Sequence, residues 1–269
     1  MRPDRVDLSP HSLILEPGEA HRGTAALFHG LTGTPLELTS LGVSLSGEGY
    51  RVLLPALAGH GRSPEELGQT PLTAWLDDAA RVVRSLQGSP GHRIIGGLSF
   101  GALIALEAAS HLPDVAGIIL LAPPIRLRRT SRECLLGLLS HLPDSALNRL
   151  GVRPKEPRPS TLHVLPRAAF PVHSVGAAAR LIALRRRILS RLSTITAPVL
   201  IIQDPHDHLL DPDGADELVV HLEKSEVDTI WIPDGQHELT VGAAHGQVSH
   251  TVAEFLNRIC LAKRSTGMS

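Results

Sequence analysis

The sequence RIIGGLSFGALIALEAA, residues 93–109, joins an apolar run to an Ala- and Leu-rich segment through the pentapeptide GLSFG, which is centred on Ser99. The apolar run predicts a buried strand, and the segment after it predicts a helix. A G-x-S-x-G sequence between a strand and a helix is typical of a nucleophile elbow, where the serine occupies a strained turn and the glycines let two backbones approach. We therefore predict that Ser99 is a nucleophile. The alternative is that Ser99 only caps the helix.

Apolar runs alternate with segments of helical period on both sides of this motif. The predicted strands are 25–29, 51–54, 93–97, 117–121, 198–203 and 229–232, and the predicted helices are 35–47, 72–86, 100–111, 214–222 and 246–262. Such alternation indicates βαβ units and a mostly parallel sheet. The predicted fold class is therefore α/β, with a central sheet flanked by helices.

The stretch 126–193 interrupts this alternation. Two Leu-rich helical pieces, LLGLLSHL and ARLIALRRRILSRL, flank a Pro-rich loop, GVRPKEPRP. In open α/β folds ligands bind at the carboxyl edge of the sheet, and an insertion after a strand end lies over that edge. We therefore predict a cap at 126–193 and a core formed by 1–125 and 194–269.

The charge of the chain is unevenly distributed. The whole sequence has a net charge of −1, but residues 126–191 contain fourteen Lys or Arg and three Asp or Glu, a net charge of +11, which leaves −12 elsewhere. A basic segment attracts anionic substrates or membrane surfaces, so weak contact with anionic lipid is one expectation. A solvated Arg-rich helical face is the alternative. Nothing in the sequence indicates a nucleic-acid partner, and we expect a monomer or a homodimer.

The cysteines and the apolar runs bear on the compartment. Cys134 and Cys260 are far apart and suggest neither a disulfide framework nor a metal site. Residues 1–18 lack the continuous apolar core of a signal peptide, and the strongest apolar run, 115–125, is too short to cross a bilayer. We therefore expect a cytoplasmic protein.

The first strong strand, AALFHG, runs into the glycine-containing loop LTGTP. Acyl transfer needs N–H donors aimed at the oxygen that gains charge, and we assign the backbone amides of Leu31 and Phe100 to this role. A plain turn is the alternative at this loop. We also predict that His29, Gly30 and His60 line the pocket, although a structural hydrogen bond is an equal alternative for His60.

A serine nucleophile needs a histidine base and a carboxylate that orients it, in the chain order Ser, Asp, His for this kind of fold. After strand 198–203 we choose Asp207, which lies a few residues beyond the strand end, with Asp204 as the alternative. For the base, the position of His237 at a strand end favours it over His245, which begins the last helix. Two further acids, Asp211 and Asp213, are better suited to capping the next helix.

The chain contains 15 histidines, so a metal site must be considered. His206 and His208 flank Asp207, and in an extended segment they point to one side while Asp207 points to the other. No second dense cluster supplies the remaining ligands of a metal site. We therefore predict no metal and no cofactor.

Six motifs follow one another along the chain: FHGLTGTP, LPALAGHGRSPEEL, GLSFGA, LLAPP, HDHLLDPDGA and DGQHELT. With these motifs the chain resembles bacterial carboxylesterases of the α/β-hydrolase superfamily, especially the small thermophile-type group, and more distantly monoacylglycerol lipases. The resemblance implies an α/β-hydrolase fold with a helical cap inserted after the sixth strand. It also implies Ser99, Asp207 and His237 as catalytic residues and the amides of Leu31 and Phe100 as oxyanion donors. One departure is QHE, because the family usually has Gly before the histidine.

Together these features predict a serine carboxylesterase that cleaves short- to medium-chain esters through an acyl-enzyme on Ser99. Alternatives on the same scaffold are a monoacylglycerol lipase, a lysophospholipase and an acyl thioesterase. A non-catalytic binding protein of this fold is an alternative from another class. The predicted substrate is a small-molecule ester, and the cap contains no motif that specifies which one.

Overall fold

The computed structural model describes residues 8–9, 11–18, 21–155, 165 and 169–266, with side chains up to 261. Its strands are β1 (Leu13–Leu15), β2 (Gly23–Phe28), β3 (Tyr50–Leu54), β4 (His92–Leu98), β5 (Val115–Leu121), β6 (Val152–Pro154), β7 (Val172–Ser174), β8 (Val199–Gln203) and β9 (Val227–Trp231). Its helices are α1 (Thr39–Gly47), α2 (Pro64–Gln69), α3 (Leu72–Gln87), α4 (Phe100–Ala109), α5 (Thr130–Leu139), α6 (Asp144–Leu147), α7 (Val175–Leu189), α8 (Asp213–His221) and α9 (His245–Thr266). Short 3₁₀ turns occupy Pro35–Leu38 and Leu192–Thr194.

Seven of the strands form one twisted sheet in the order β1-β3-β2-β4-β5-β8-β9. All neighbours are parallel except β1, which runs antiparallel to β3 at the edge. Strands β2, β5 and β8 are buried along their whole length, which explains their continuous apolar sequences. The predicted α/β class is confirmed.

Helices cover both faces of this sheet and create two apolar cores. On one face, α3 and α4 pack around Trp75 and Phe100, and the cap helix α7 extends this core. On the other face, α1 and α9 pack against β3 and β5. The layers leave the carboxyl ends of the parallel strands uncovered by the core helices, so the loops after β2, β4, β8 and β9 meet at that edge.

The insertion between β5 and β8 contains α5, α6, the antiparallel pair β6–β7 and α7. The predicted position after the sixth strand is wrong for the described residues, where the insertion follows the fifth strand because a single strand, β1, precedes β2. The Pro-rich segment predicted as a loop begins as strand β6, and its residues 156–159 lie outside the described part. The boundaries of the cap at 126 and 193 stay a prediction.

Two expectations about the chain can be compared with the described residues. Cys134 and Cys260 are both free thiols. None of the described helices is long and apolar enough to cross a membrane.

A buried arginine anchors the cap to the core. The guanidinium of Arg180 on α7 donates to the carbonyl of Gly68 at 2.7 Å, to Asn148 Oδ1 at 2.6 Å and to Asp144 Oδ1 at 2.8 Å. The side chain is only 2% exposed, so these acceptors replace its hydration shell. Arg180 therefore joins α7 to α6 and to the end of α2.

We expect Arg180→Leu to lower the free energy of unfolding by about 3 kcal/mol, because the buried carbonyl of Gly68 loses its charged donor and α7 loses its bonds to Asp144 and Asn148. Urea unfolding followed by circular dichroism measures this change. Arg186→Leu is the matched control, since Arg186 lies on the same helix with its guanidinium exposed, and it should shift stability by less than about 0.5 kcal/mol. Equal effects of the two substitutions would contradict the anchoring role of Arg180.

Candidate active site

Ser99 lies in a sharp turn between β4 and α4, with φ of 53° and ψ of −117°. A positive φ is costly for a residue with a side chain, and here the close packing of α4 on the sheet enforces it. A Cβ atom on Gly101 would lie 2.0 Å from the carbonyl oxygen of Phe28, and one on Gly97 would lie 2.3 Å from the carbonyl carbon of Gly101. The two glycines are therefore required by contact, as the G-x-S-x-G sequence predicts.

The loop after β9 brings His237 to this serine. His237 Nε2 lies 2.9 Å from Ser99 Oγ, and the imidazole is almost completely buried. Gln236, the residue that stands where the family usually has glycine, has a positive φ of 57°. The departure noted in the sequence thus falls on a position where glycine would have no steric cost.

Asp207, in the loop after β8, completes a hydrogen-bonded chain. Its Oδ2 lies 2.7 Å from His237 Nδ1, and its Oδ1 accepts from the amides of Leu209 at 2.7 Å and Leu210 at 3.1 Å. Burial alone would raise the pKa of Asp207, but the charge of His237 and these hydrogen bonds outweigh it and lower the pKa below its usual value. The carboxylate is therefore ionised at neutral pH.

Asp204, the alternative acid, is placed differently. Its Oδ1 accepts from the His206 amide at 2.8 Å, and its Oδ2 accepts from the Gln236 amide at 2.7 Å. This buried carboxylate links the loop that carries Asp207 to the loop that carries His237. It also holds the Gln236 backbone, where a non-glycine residue has an unfavourable φ. Asp204 is therefore a positioning residue.

The cap also contacts the acid loop. Arg128, two residues before α5, donates from Nε to the carbonyl of Asp207 at 2.8 Å and from Nη2 to the carbonyl of Pro205 at 3.2 Å. These bonds restrain the backbone of the loop that carries Asp207. Sequence reasoning missed Arg128, because one arginine among many in a basic segment gives no local signal.

The loop after β2 lies beside Ser99. None of the described residues accepts a hydrogen bond from the amide of Leu31 or Phe100, so both donors are unused by the protein itself. The Gly30 amide donates to the buried carboxylate of Glu37, which braces the loop. Sequence reasoning missed Glu37, because its carboxylate comes from the following 3₁₀ turn and its burial depends on the tertiary fold.

Comparison with known families settles the class of the chain. A family model described as serine aminopeptidase, S33, matches residues 19–242, which is most of the sequence. The chain belongs to the S33 serine aminopeptidase family. The chain is also similar to individual proteins whose names describe other hydrolase activities.

A carboxylesterase of Bacillus subtilis (strain 168) is 27% identical over 236 residues, 87% of this chain and 92% of that protein. A thermostable monoacylglycerol lipase of Bacillus sp. (strain H-257) is 27% identical over 242 residues, 89% of this chain and 93% of that protein. A solved structure from work on the metagenome-derived lipolytic enzymes LipS and LipT has a TM-score of 0.78 at 23% identity, covering 93% of this chain and 99% of that chain. The predicted resemblance to carboxylesterases and monoacylglycerol lipases and the predicted α/β-hydrolase fold are confirmed.

A cavity of about 820 Å³ lies between the core and the cap of this S33 family member, and Ser99 and His237 are in its wall. Gly30 and Leu31 line it, as predicted for Gly30. His208 also lines it, and its ring meets that of His237 edge to face at 5.9 Å. Apolar side chains of the cap form most of the opposite wall: Leu127, Leu135, Leu136, Leu139, Leu150, Val152, Leu181 and Ile182.

Two of the predicted pocket residues lie elsewhere. His29 is buried behind the loop, where its Nδ1–H donates to the carbonyl of Gly30 at 3.0 Å and its Nε2 accepts from the Leu57 amide at 3.2 Å. His60 stacks on the Phe100 ring at 5.9 Å and borders a separate hollow. Their prediction as lining of the Ser99 cavity is wrong, because both rings turn into the core beneath the loop. For His60 the structural alternative holds.

The metal hypothesis can be checked on the same loops. His206 is mostly exposed, whereas His208 faces the cavity and Asp207 is bonded to His237. The described part of the chain contains no group of three or more side chains arranged to hold a metal ion.

The buried histidines make stability depend on pH. Burial lowers the pKa of His60 to about 4, an effect that hydrogen bonds to nearby carbonyls partly offset. Burial and the neighbouring His60 lower the pKa of His29 as well. An unfolded histidine titrates near pH 6.5, so between about pH 4 and 6.5 the unfolded chain binds more protons than the folded chain. The stability that comes from keeping these two histidines neutral is therefore fully present above pH 6.5 and is lost as the pH falls through this window.

We expect the free energy of unfolding to fall by roughly 1 kcal/mol per pH unit between pH 6.5 and 4.5 because of His60, and His29 should act in the same direction. His60→Asn should remove its share of this slope, which urea unfolding at several pH values measures. His250→Asn is the control, because His250 is exposed on α9, and it should leave the slope as in the parent protein. A slope that His60→Asn does not change would show that His60 is not held neutral by the fold.

Proposed function

We propose that the chain hydrolyses carboxylic esters with short- to medium-chain acyl groups through a covalent acyl-enzyme on Ser99. One observation carries this proposal: Asp207, His237 and Ser99 form a continuous hydrogen-bonded chain at the wall of a cavity. The carboxylesterase relative from Bacillus subtilis supports the same class of substrate.

In the first half of the reaction, His237 Nε2 takes the proton of Ser99 Oγ as this oxygen attacks the ester carbonyl. The carbonyl oxygen gains negative charge, and the amides of Leu31 and Phe100 donate hydrogen bonds to it. Phe100 is the first residue of α4, so the positive end of the helix dipole faces the same charge. The alcohol then leaves with the proton that His237 received.

In the second half, a water molecule gives a proton to His237 and attacks the acyl carbon, which releases the carboxylic acid and restores Ser99. The imidazole carries positive charge in both tetrahedral stages. The ionised Asp207 stabilises this charge and fixes the proton on Nδ1, which leaves Nε2 free to accept. Asp207 also accepts hydrogen bonds from two backbone amides, which fix its carboxylate. The fixed carboxylate in turn holds the imidazole in one orientation.

A second candidate function is the hydrolysis of monoacylglycerols. The Leu-rich wall of the cavity favours it, because an acyl chain requires an extended apolar surface. The Bacillus monoacylglycerol lipase relative supports it as well. Initial rates on p-nitrophenyl esters of graded chain length, compared with monoacylglycerols of the same chains, distinguish the two candidates.

The alternative of a non-catalytic binding protein predicts a broken triad. Instead, the three side chains lie within 2.9 Å of one another along the chain of hydrogen bonds. Geometry of this kind supports turnover.

We expect Ser99→Ala to abolish ester turnover and labelling by a fluorophosphonate probe, because Ser99 Oγ is the hydroxyl that lies 2.9 Å from the imidazole of His237. Hydrolysis of p-nitrophenyl butyrate and gel fluorescence of the labelled protein measure the two effects. Ser85→Ala is the control, since Ser85 lies on α3 and its hydroxyl donates to the Arg81 carbonyl of the same helix, and it should retain both. Appreciable esterase activity in Ser99→Ala would refute the proposal.

The two acids can be separated by matched substitutions. Asp207→Asn should lower kcat by about 10³-fold or more, because the amide cannot stabilise a charged imidazole. Asp204→Asn should lower kcat by about tenfold at most, because its Oδ1 still accepts one backbone amide. Steady-state kinetics on p-nitrophenyl butyrate gives both values, and a larger loss in Asp204→Asn than in Asp207→Asn would reverse the assignment.

A further inference from the structure

The cavity above Ser99 has a positively charged opening. Arg132 on α5 and Arg153 on β6 line the cavity and are exposed to solvent, so they stand where it opens. Arg129, Lys155 and His173 line the same space. All five belong to the cap, and they approach the opening from two separate elements.

The described acids of the cap do not pair with Arg132 or Arg153. Glu133 pairs with Arg185 at 2.6 Å, and Asp144 pairs with the buried Arg180 at 2.7 Å. The third acid of the segment, Glu156, lies outside the described residues. Within the described part of the chain, Arg132 and Arg153 form no ion pair. Their charge is therefore available to a ligand.

The core contributes two acids to the cavity wall, Glu37 and Glu238, and both are buried. Glu37 is engaged with the Gly30 amide at the catalytic end. The wall thus contains buried carboxylates near the serine and exposed guanidinium groups near the opening. A ligand that extends from Ser99 towards solvent therefore meets positive charge last.

Helix α5 shows the same separation of apolar and positively charged side chains along one of its faces. Arg132, Leu135, Leu136 and Leu139 all line the cavity, and residues three, four and seven apart share a face of a helix. One face of α5 therefore offers an apolar surface with a cation at its N-terminal end. An acyl chain fits the leucines, and an anion fits the arginine.

The β6–β7 pair brings its cations near the reacting carbonyl. Lys155 Nζ donates to Thr32 Oγ1 at 2.6 Å, and the Phe170 amide donates to the Thr32 carbonyl at 2.9 Å. Thr32 follows Leu31, whose amide is the proposed oxyanion donor. An anionic group on the alcohol part of an ester would consequently lie within reach of this pair of strands.

From these contacts we infer that the preferred substrate is an amphiphilic ester whose alcohol part carries an anionic group, bound by Arg132 and Arg153. This inference rests on the proposed ester hydrolysis and specifies its substrate class. A phosphate and a carboxylate share the chemistry that guanidinium groups recognise. The two sources are distinguished by the test.

The test compares matched esters of one acyl chain. The phosphate arm uses 1-decanoylglycerol 3-phosphate against 1-decanoylglycerol, and the carboxylate arm uses 3-(decanoyloxy)propanoate against propyl decanoate. We expect kcat/KM for the anionic member to exceed that for the neutral member about fivefold at low ionic strength in at least one arm. The arm with the larger ratio identifies the headgroup, and 0.5 M NaCl should bring the ratio towards one.

Substitutions assign the preference to the two arginines. The double variant Arg132→Gln, Arg153→Gln should reduce the ratio to about one, and both positions are exposed, so the fold should tolerate the changes. Arg84→Gln is the control, because Arg84 is exposed on α3 outside the cavity, and it should keep the ratio of the parent protein. A ratio at or below one in the parent protein, or an unchanged ratio in the double variant, overturns the inference.

A binding measurement keeps the inference separate from the proposed hydrolysis. Calorimetry with the Ser99→Ala protein should show tighter binding of decyl phosphate than of neutral decyl glucoside, and the double substitution should remove the difference. If no ester is turned over, the proposed hydrolysis fails and this binding preference still decides the inference. Binding to phosphatidylglycerol vesicles without any preference for decyl phosphate would indicate a membrane surface instead and would overturn it.

Discussion

The close contact of α4 with the carboxyl ends of β2 and β4 is the constraint on which the site depends. Gly97 and Gly101 permit backbone approaches that a Cβ atom would prevent, and the turn between them leaves Ser99 at a positive φ. A strained residue of this kind costs about 1–3 kcal/mol and persists only where its surroundings are rigid. The buried strand β4 and the fully buried helix α4 supply that rigidity, so the hydroxyl has one position to which the other loops can be fitted.

The loops after β8 and β9 are hydrogen-bonded to each other, and these bonds fix their position relative to Ser99. Asp207 bonds to the His237 side chain, while Asp204 bonds to the backbone just before it, so two carboxylates three residues apart fix the ring and the loop separately. This division explains how the chain tolerates Gln236 at a positive φ. The backbone strain is compensated by a charge-assisted hydrogen bond to a buried carboxylate, which a glycine at that position would not need.

Local sequence was sufficient to predict those parts of the fold in which a strand leads into a distinct motif. The elbow at Ser99, the main parallel strands and the position of His237 after β9 could all be predicted, because each depends on residues close in sequence. The three-residue strand β1, the β6–β7 pair and the inward turn of His29 and His60 could not, because tertiary partners decide them. Asp204 follows β8 directly and Asp207 lies three residues further on, and the distance from the strand end favoured Asp207, but only the three-dimensional course of the loop shows which carboxylate meets His237.

The uneven charge of the sequence also helps to attach the cap to the core. The two interpretations made from the sequence, attraction of anionic partners and a solvated Arg-rich face, did not include this role. Arg126 pairs with Asp213 and Glu217, and Arg187 holds the buried Glu107 of α4 with two nitrogens. Part of the positive cap and part of the negative core are therefore the two sides of one interface. Arginines that form ion pairs in that interface are unavailable to a ligand, whereas Arg132 and Arg153 at the cavity opening form no ion pair with the described residues. The same composition thus attaches the cap and leaves a positive entrance above Ser99.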